Sequence, residues 1–232
     1  MKIAASMVFG MASLALAQPA SPTDPPAVLH GQVSFQFERA GVPVPRYTLE
    51  IHEDGTGRYQ ADEAGSVPSQ SSSSLQNVGV KHVDKAIPVS PSTVTKIFKQ
   101  ARALDHFNIA CSSKAKNIAD TGKKTLSYVG PDGQGSCVYN YSDNKNVTAL
   151  SDMFLAIAFT IDEGRRLEFL HRYDRLGLDA EISALAHEVD EGRAMELGTI
   201  APTLQSIEGD TALIQRVRLH AEKLLEQSKD EK

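Results

Sequence analysis

The chain has 232 residues, 41% hydrophobic and 23% charged, a composition too apolar for a disordered polypeptide and long enough for one domain with room for a second small unit. Tryptophan is absent and only 6% of residues are aromatic, which argues against an aromatic-lined sugar cleft or a base-stacking platform. A formal charge of −5 with no concentrated basic segment leaves out the footprint of a phosphate-backbone binder, so no nucleic-acid partner is expected.

At the N-terminus, Lys2 precedes an uncharged run over residues 3–16 that ends in Ala15-Leu16-Ala17. This is the layout of a secretory signal peptide, residues 1–17, cleaved after Ala17. The run is too short and too rich in small residues to span a bilayer, which takes about 20 apolar residues. The longest later candidate, residues 153–161, is shorter still, so no transmembrane segment is expected after cleavage. A periplasmic or secreted, water-soluble protein follows. In that oxidising setting Cys111 and Cys137 read as a disulfide, because they are an even pair without Cys-x-x-Cys or zinc-ribbon spacing. The bridge closes 26 residues, worth about 3.5 kcal/mol on the chain-entropy account.

Residues 18–27, with four prolines, read as a mobile leader. Order is expected from residue 28. Val33, Phe35 and Phe37 alternate with polar residues, as do Tyr47, Leu49 and Ile51, so both segments predict half-buried strands. Asp54-Gly55-Thr56-Gly57 then turns the chain into a third strand through Tyr59. Residues 62–77, with four serines at 71–74, predict a mobile loop, and residues 78–89 a return to the sheet. Ser90 caps and Pro91 opens a helix whose apolar face is Val94, Ile97, Phe98, Ala101 and Leu104. A second hairpin turns at Pro131-Asp132-Gly133, with Leu126, Tyr128, Val138 and Tyr139 available to face inward.

From Thr148 the apolar period becomes 3.6. Leu150, Met153, Phe154, Ile157, Ala158 and Ile161 cover a helix that must be buried on most sides, and Asp162-Glu163-Gly164 is expected to interrupt it. Leu167, Leu170, Tyr173 and Leu176 predict a second helix stopped by Gly177, and Asp179 a cap for a third that Gly192 closes. Ala201-Pro202 permits a short helix, and Asp210 caps a final one carrying Leu213, Ile214, Val217, Ala221, Leu224 and Leu225. Strands first and helices afterwards make the fold class α+β: antiparallel β-hairpins with one packed helix over 28–145, an all-helical region over 146–227 packed on or beside it, and a charged, fraying tail at 228–232.

Few constellations carry chemistry. Asp120-Thr121-Gly122 follows Ile118-Ala119 as in aspartic proteases, but a second copy is needed and Asp54-Gly55-Thr56-Gly57 has the wrong order, so a turn is the expectation. His187-Glu188 lacks the second histidine of a zinc protease, since Glu191 stands one turn on. His171 with Asp174 and His187 with Glu191 have helical ligand spacing, though solvated helix faces produce such pairs routinely, and no metal or cofactor is expected. Arg165, Arg166, Arg172 and Arg175 form a candidate anion-binding set, with a salt-bridged helix face through pairs such as Glu168 and Arg172 as the plainer alternative. Nucleophile elbow, P-loop and dinucleotide fingerprint are missing from the sequence. Asn140 and Asn146 head glycosylation sequons that matter only in a eukaryote.

The strand into Asp54-Gly55, the helix carrying Phe98 and Leu104 before Phe107, and the hairpin at Asp132-Gly133 together resemble a group of exported bacterial proteins of unknown function, over roughly residues 45–141. The resemblance implies an α+β domain in a bacterial envelope and no catalytic residues. The expectation is an exported, non-enzymatic module that binds a protein or envelope component. The alternative is a hydrolase of unrecognised family using carboxylate or His residues, which would require Asp120, Asp132 or Asp143 to meet a histidine in one buried pocket.

Overall fold

A computed structural model of the chain describes residues 30–64 and 80–230. The signal peptide, the leader, most of the serine-rich loop and the last two residues of the tail lie outside the described residues.

The fold is α+β, as the change of period predicts. Six antiparallel strands, β1 (Gln32–Glu38), β2 (Arg46–His52), β3 (Thr56–Glu63), β4 (Lys81–Pro88), β5 (Lys123–Gly130) and β6 (Gly133–Tyr139), form one sheet in the order β4-β3-β2-β1-β5-β6. Pairing of Phe35 with both Leu49 and Leu126 sets the central register. One face therefore collects Val33, Phe35, Tyr47, Leu49, Ile51, Tyr59, Leu126 and Tyr128. The other carries Ser34, Gln36, Thr48, Ser127 and Ser136. In β6 the strict alternation puts Cys137 and Tyr139 inward and leaves Val138 half exposed, contrary to the expectation for that residue.

Helix α1 (Pro91–Ala103) starts as predicted, with the Ser90 hydroxyl accepting the Thr93 N–H at 3.3 Å, and buries Val94, Ile97, Phe98 and Ala101 on the sheet. The chain then covers the outer edge of β6. Asn108 Nδ2 donates to the Gln134 carbonyl at 3.0 Å, Ser112 Oγ to the Val138 carbonyl at 3.0 Å, and a Cys111–Cys137 disulfide with Cα atoms 5.9 Å apart clamps the segment down. A sheet edge that would otherwise invite pairing is closed in this way.

Helix α2 (Lys145–Tyr173) is capped by Asn144 and runs through Asp162-Glu163-Gly164 without a break. Its first half, with Leu150, Phe154, Ile157 and Ile161, belongs to the core of the sheet. Leu167 enters a second core shared with α3 (Leu178–Asp190), α4 (Ala201–Gly209) and α5 (Gln215–Asp230). Gly164 is there for contact: a Cβ on it would stand 2.1 Å from Ile200 Cγ2. Continuity of α2 also leaves Tyr173 and Leu176 on the surface, the latter 95% exposed. Asp179 pairs with Arg216 of α5 at 2.8 Å instead of capping α3, and Asp210 accepts the Ala212 N–H at 2.9 Å ahead of α5. Ile214 is exposed and Ser228 is buried in a last turn that remains helical to Asp230. Gly192, at φ +70°, ends α3 as predicted.

The two cores are joined by a buried carboxylate. Glu196 accepts the Ser90 N–H at 2.8 Å and the Ser90 hydroxyl at 2.6 Å, and thus holds the start of α1 from 106 residues away.

Candidate functional site

Where α2 crosses the sheet, one of its faces is left uncovered. Asp152, Leu155, Phe159 and Asp162 follow one another at spacings of three, four and three residues, which places them in one stripe. Opposite stand Phe37 of β1 and Tyr47 of β2, their ring centroids 5.2 Å apart, and the end of α3 supplies Glu188, Gly192 and Arg193 as a third wall. The result is an open cavity of about 700 Å³ with apolar walls and carboxylates set into them.

Asp162 lies at the floor. Tyr59 donates to its two oxygens at 2.8 and 2.9 Å, and Arg165 approaches at 3.4 Å. Burial outweighs these bonds and holds the Asp162 carboxyl above the usual carboxylate range. Burial, and next the charge of Asp162, push the Tyr47 phenol far above its ordinary value, and its hydroxyl makes no hydrogen bond with any described residue. Arg165 also pairs with Glu63 at 2.5 Å, so one guanidinium serves two carboxylates. Arg193 likewise serves Glu188, at 2.5 and 2.9 Å, and Glu191 at 3.4 Å. Asp152 forms no ion pair with a described residue.

A smaller cavity of about 410 Å³ adjoins the groove and shares Phe37, Asp152 and Leu155 with it. Its far wall is basic. Lys124 is buried there with Nζ on the carbonyls of Thr121, Gly122 and Asn140 at 3.1, 3.2 and 3.0 Å, and burial lowers its pKa.

No protein-family model and no curated protein matches the chain.

The residues singled out from the sequence are scattered by the fold. Of the four arginines, Arg165 turns to Glu63 and Asp162 beneath the groove and Arg166 to Glu181 at 2.9 Å. Arg172 and Arg175 do share a cavity of about 530 Å³ with His171, yet Asp210 already lies in it, 2.9 Å from His171 Nε2 and 3.1 Å from Arg175. The four thus do not converge, because Arg165 sits about two turns before Arg172 along the continuous helix α2, Arg166 lies on another of its faces, and Arg175 follows its end. Asp120 accepts the Gly122 N–H at 2.9 Å, the turn that was expected, and Asp143 accepts from the Ser113 hydroxyl at 2.5 Å. Among the described residues no group of three metal-ligating side chains comes together.

Of Asp120, Asp132 and Asp143, Asp132 does meet a histidine. Asp132 Oδ2 lies 3.5 Å from His106 Nε2, whose ring packs on Tyr128 at 4.6 Å. Asp105, His106 and Phe107 all have positive φ, and the turn fits only because Gly133 and Gly135 lie under it, a Cβ on Gly135 being 2.3 Å from the His106 carbonyl. Asp132 is otherwise committed. Arg102 Nε holds it at 2.6 Å, the Tyr128 hydroxyl donates to it, and these bonds keep its carboxyl well below the usual range. The cluster, which also takes in Glu53, ties the end of α1 to the β5–β6 turn at the surface, and neither His106 nor Asp132 lines the groove.

The groove escapes the sequence signals because the dominant apolar period of α2 marks its buried face, Leu150, Phe154, Ile157 and Ile161. The stripe Asp152-Leu155-Phe159-Asp162 is nevertheless present in the sequence as an apolar pair bracketed by acids.

Proposed function

We propose that the protein is an exported binding module that holds an apolar ligand in the groove between Phe37, Tyr47 and helix α2. The observation that carries this reading is the combination of an open apolar cavity of about 700 Å³ with the half-buried carboxylate of Asp162 at its floor. The disulfide, together with the signal-peptide layout of residues 1–17, supports an oxidising destination. A non-enzymatic role is favoured over the hydrolase alternative because the acid that approaches His106 is held by Arg102 and Tyr128 outside the groove.

Two measurements test the proposal. Fractionation of cells making the protein should return it in the periplasm or medium, shortened to begin after Ala17. The neutral fluorophore N-phenyl-1-naphthylamine should bind saturably at one site per chain, and Leu155→Asp, with its helical circular dichroism intact, should abolish that binding. Saturable binding untouched by Leu155→Asp, or recovery of the full-length chain from the cytosol, would overturn the reading.

A further inference from the structure

We infer that the outer edge of β4 receives an extended segment of a partner protein, which joins the sheet as a seventh strand. The segment sets an acidic side chain beside Lys85 and an apolar one in the cavity where β4 leaves the sheet. This surface is separate from the groove and does not depend on it.

The two edges of the sheet are finished differently. Beyond β6, the segment carrying Asn108, Cys111 and Ser112 closes the edge, whereas β4 has no strand on its outer side among the described residues. The register fixes which groups that edge offers. Val89 N–H donates to the Gly55 carbonyl at 2.9 Å, in the same register that pairs Ile87 with Gly57 and Lys85 with Tyr59. The odd-numbered residues of β4 therefore spend their backbone groups on β3. His82, Asp84 and Ala86 turn N–H and carbonyl outward, and no described group bonds to them. Pro88, which has no N–H to offer, falls in the same outward set, where β3 needs none.

The side chains under this edge say what an added strand should carry. Lys81, His82 and Asp84 already face Glu63, Asp62 and Arg58. Lys85 points to the helical side, with Nζ on the Thr199 carbonyl at 3.1 Å, and forms no ion pair with a described residue. Glu168 and Arg165 of α2 act on it only from farther off and with opposite signs. An acid opposite Lys85 on an added strand supplies the missing partner. Beyond Ile87, Pro88 and Val89 border a cavity of about 560 Å³ whose other walls include Gly198, Ala201 and Leu225. The Glu196 carboxylate in it is already bound to Ser90, so the space left suits an uncharged apolar side chain. Alternate side chains of a strand laid along β4 fall over this opening, the arrangement in which backbone bonds hold a peptide and a pocket selects it.

A second copy of the chain does not suit the edge. With N–H and carbonyl groups matched, the two antiparallel registers of greatest overlap set Asp84 against Asp84 or Lys85 against Lys85.

NMR titration of the purified full chain with acetyl-Leu-Thr-Val-Thr-Glu-Thr-Val-amide tests the inference. Laid antiparallel with its glutamate opposite Lys85, this peptide turns its threonines to the backbone of Asp84, Ala86 and Pro88 and its leucine to the cavity. Saturable shifts are expected at His82, Asp84, Ala86, Gly198 and Ala201. N-methylation of the threonine opposite Ala86 should weaken binding about tenfold or more, whereas N-methylation of the glutamate, whose N–H points away from β4, should not. Ala86→Pro removes an outward N–H at an exposed position, spares the pairing with β3, and should abolish binding. Should that variant fail to fold, Lys85→Glu should weaken the peptide and bind its lysine-for-glutamate counterpart instead. Absence of shifts in β4 with the peptide at about 5 mM, past the millimolar affinity of a weak site, overturns the inference. Binding indifferent to which nitrogen is methylated, or to the charge swap, overturns it as well. A dimer of the free chain that Ala86→Pro dissolves would give the edge to a second copy and equally refute a foreign partner.

Discussion

Tyr59 and Asp162, 103 residues apart in the chain, meet beneath the groove, where the phenol donates to both carboxylate oxygens. The pair ties strand β3 to helix α2 and fixes the acid that gives the groove its polarity. Tyr59→Phe removes the donor and leaves a half-buried carboxylate short of a partner. A loss of about 1–3 kcal/mol is expected from that desolvation, measured by urea unfolding. No loss would mean that Asp162 is free to turn to water.

Glu163, the next residue, faces Glu181 of α3. Burial first, then a hydrogen bond with Glu181, push its carboxyl up to about 7 from an ordinary 4.5. Asp162 and Arg166 of α2 face the same pair, the first raising and the second lowering the value. Between those two pH values the folded chain binds more protons than the unfolded one, so this contribution is complete below 4.5 and lost as pH rises through about 7. Glu163→Gln should therefore gain about 1–2 kcal/mol over the wild type on going from pH 5 to pH 8, after allowance for screening of a half-exposed group. Unfolding curves at both values check it, and parallel behaviour of the two proteins would refute the shared proton.

Gly164 owes its place to Ile200. Alanine should improve the isolated helix by about 0.5–1 kcal/mol, yet the added methyl collides with Ile200 and the net effect should be destabilising by about 1–3 kcal/mol. The double variant Gly164→Ala with Ile200→Ala should be milder than the sum of the two single changes. Additivity would place the glycine's role elsewhere.

Glu196→Ala strips two bonds from Ser90 and separates the helical core from α1. A loss of about 2–3 kcal/mol is expected, the sum of a lost cap contact and a lost buried acceptor. Hydrogen exchange should show the first turn of α1 opening ahead of the sheet. Uniform protection would show that the two cores are held together by packing alone.

Replacing Cys111 and Cys137 by serine should cost about 2–4 kcal/mol. The segment over β6 should loosen with it, exposing the edge that Asn108 and Ser112 cover. Limited proteolysis near residues 108–116 should accelerate in the variant and not in the oxidised protein.

Much of this architecture is legible in the sequence. Alternation at Val33-Phe35-Phe37 and Tyr47-Leu49-Ile51 gives strands, Ser90-Pro91 starts a helix, and Gly192 ends one, because these signals are local. The signals that failed were overruled by tertiary contacts. Gly164 looks like a break until Ile200 fills the space beside it, and Asp179 looks like a cap until Arg216 claims it. Arg165, Arg166, Arg172 and Arg175 look like one anion site because they are close in sequence, while Glu63 and Glu181 draw the first two away and Glu168 and Asp210 already occupy the cavity that the last two share. The groove itself could not be placed from sequence, since Phe37, Tyr47 and Arg193 come from distant segments and only the register of β1 and β2 brings them opposite Leu155 and Phe159.

The most direct test of the binding role is a heteronuclear NMR titration of the purified protein with N-phenyl-1-naphthylamine. The account predicts saturable shifts confined to Phe37, Tyr47, residues 152–162 and residues 188–193. Shifts centred instead on His171, Arg172 and Arg175, or spread without saturation over the surface, would contradict it.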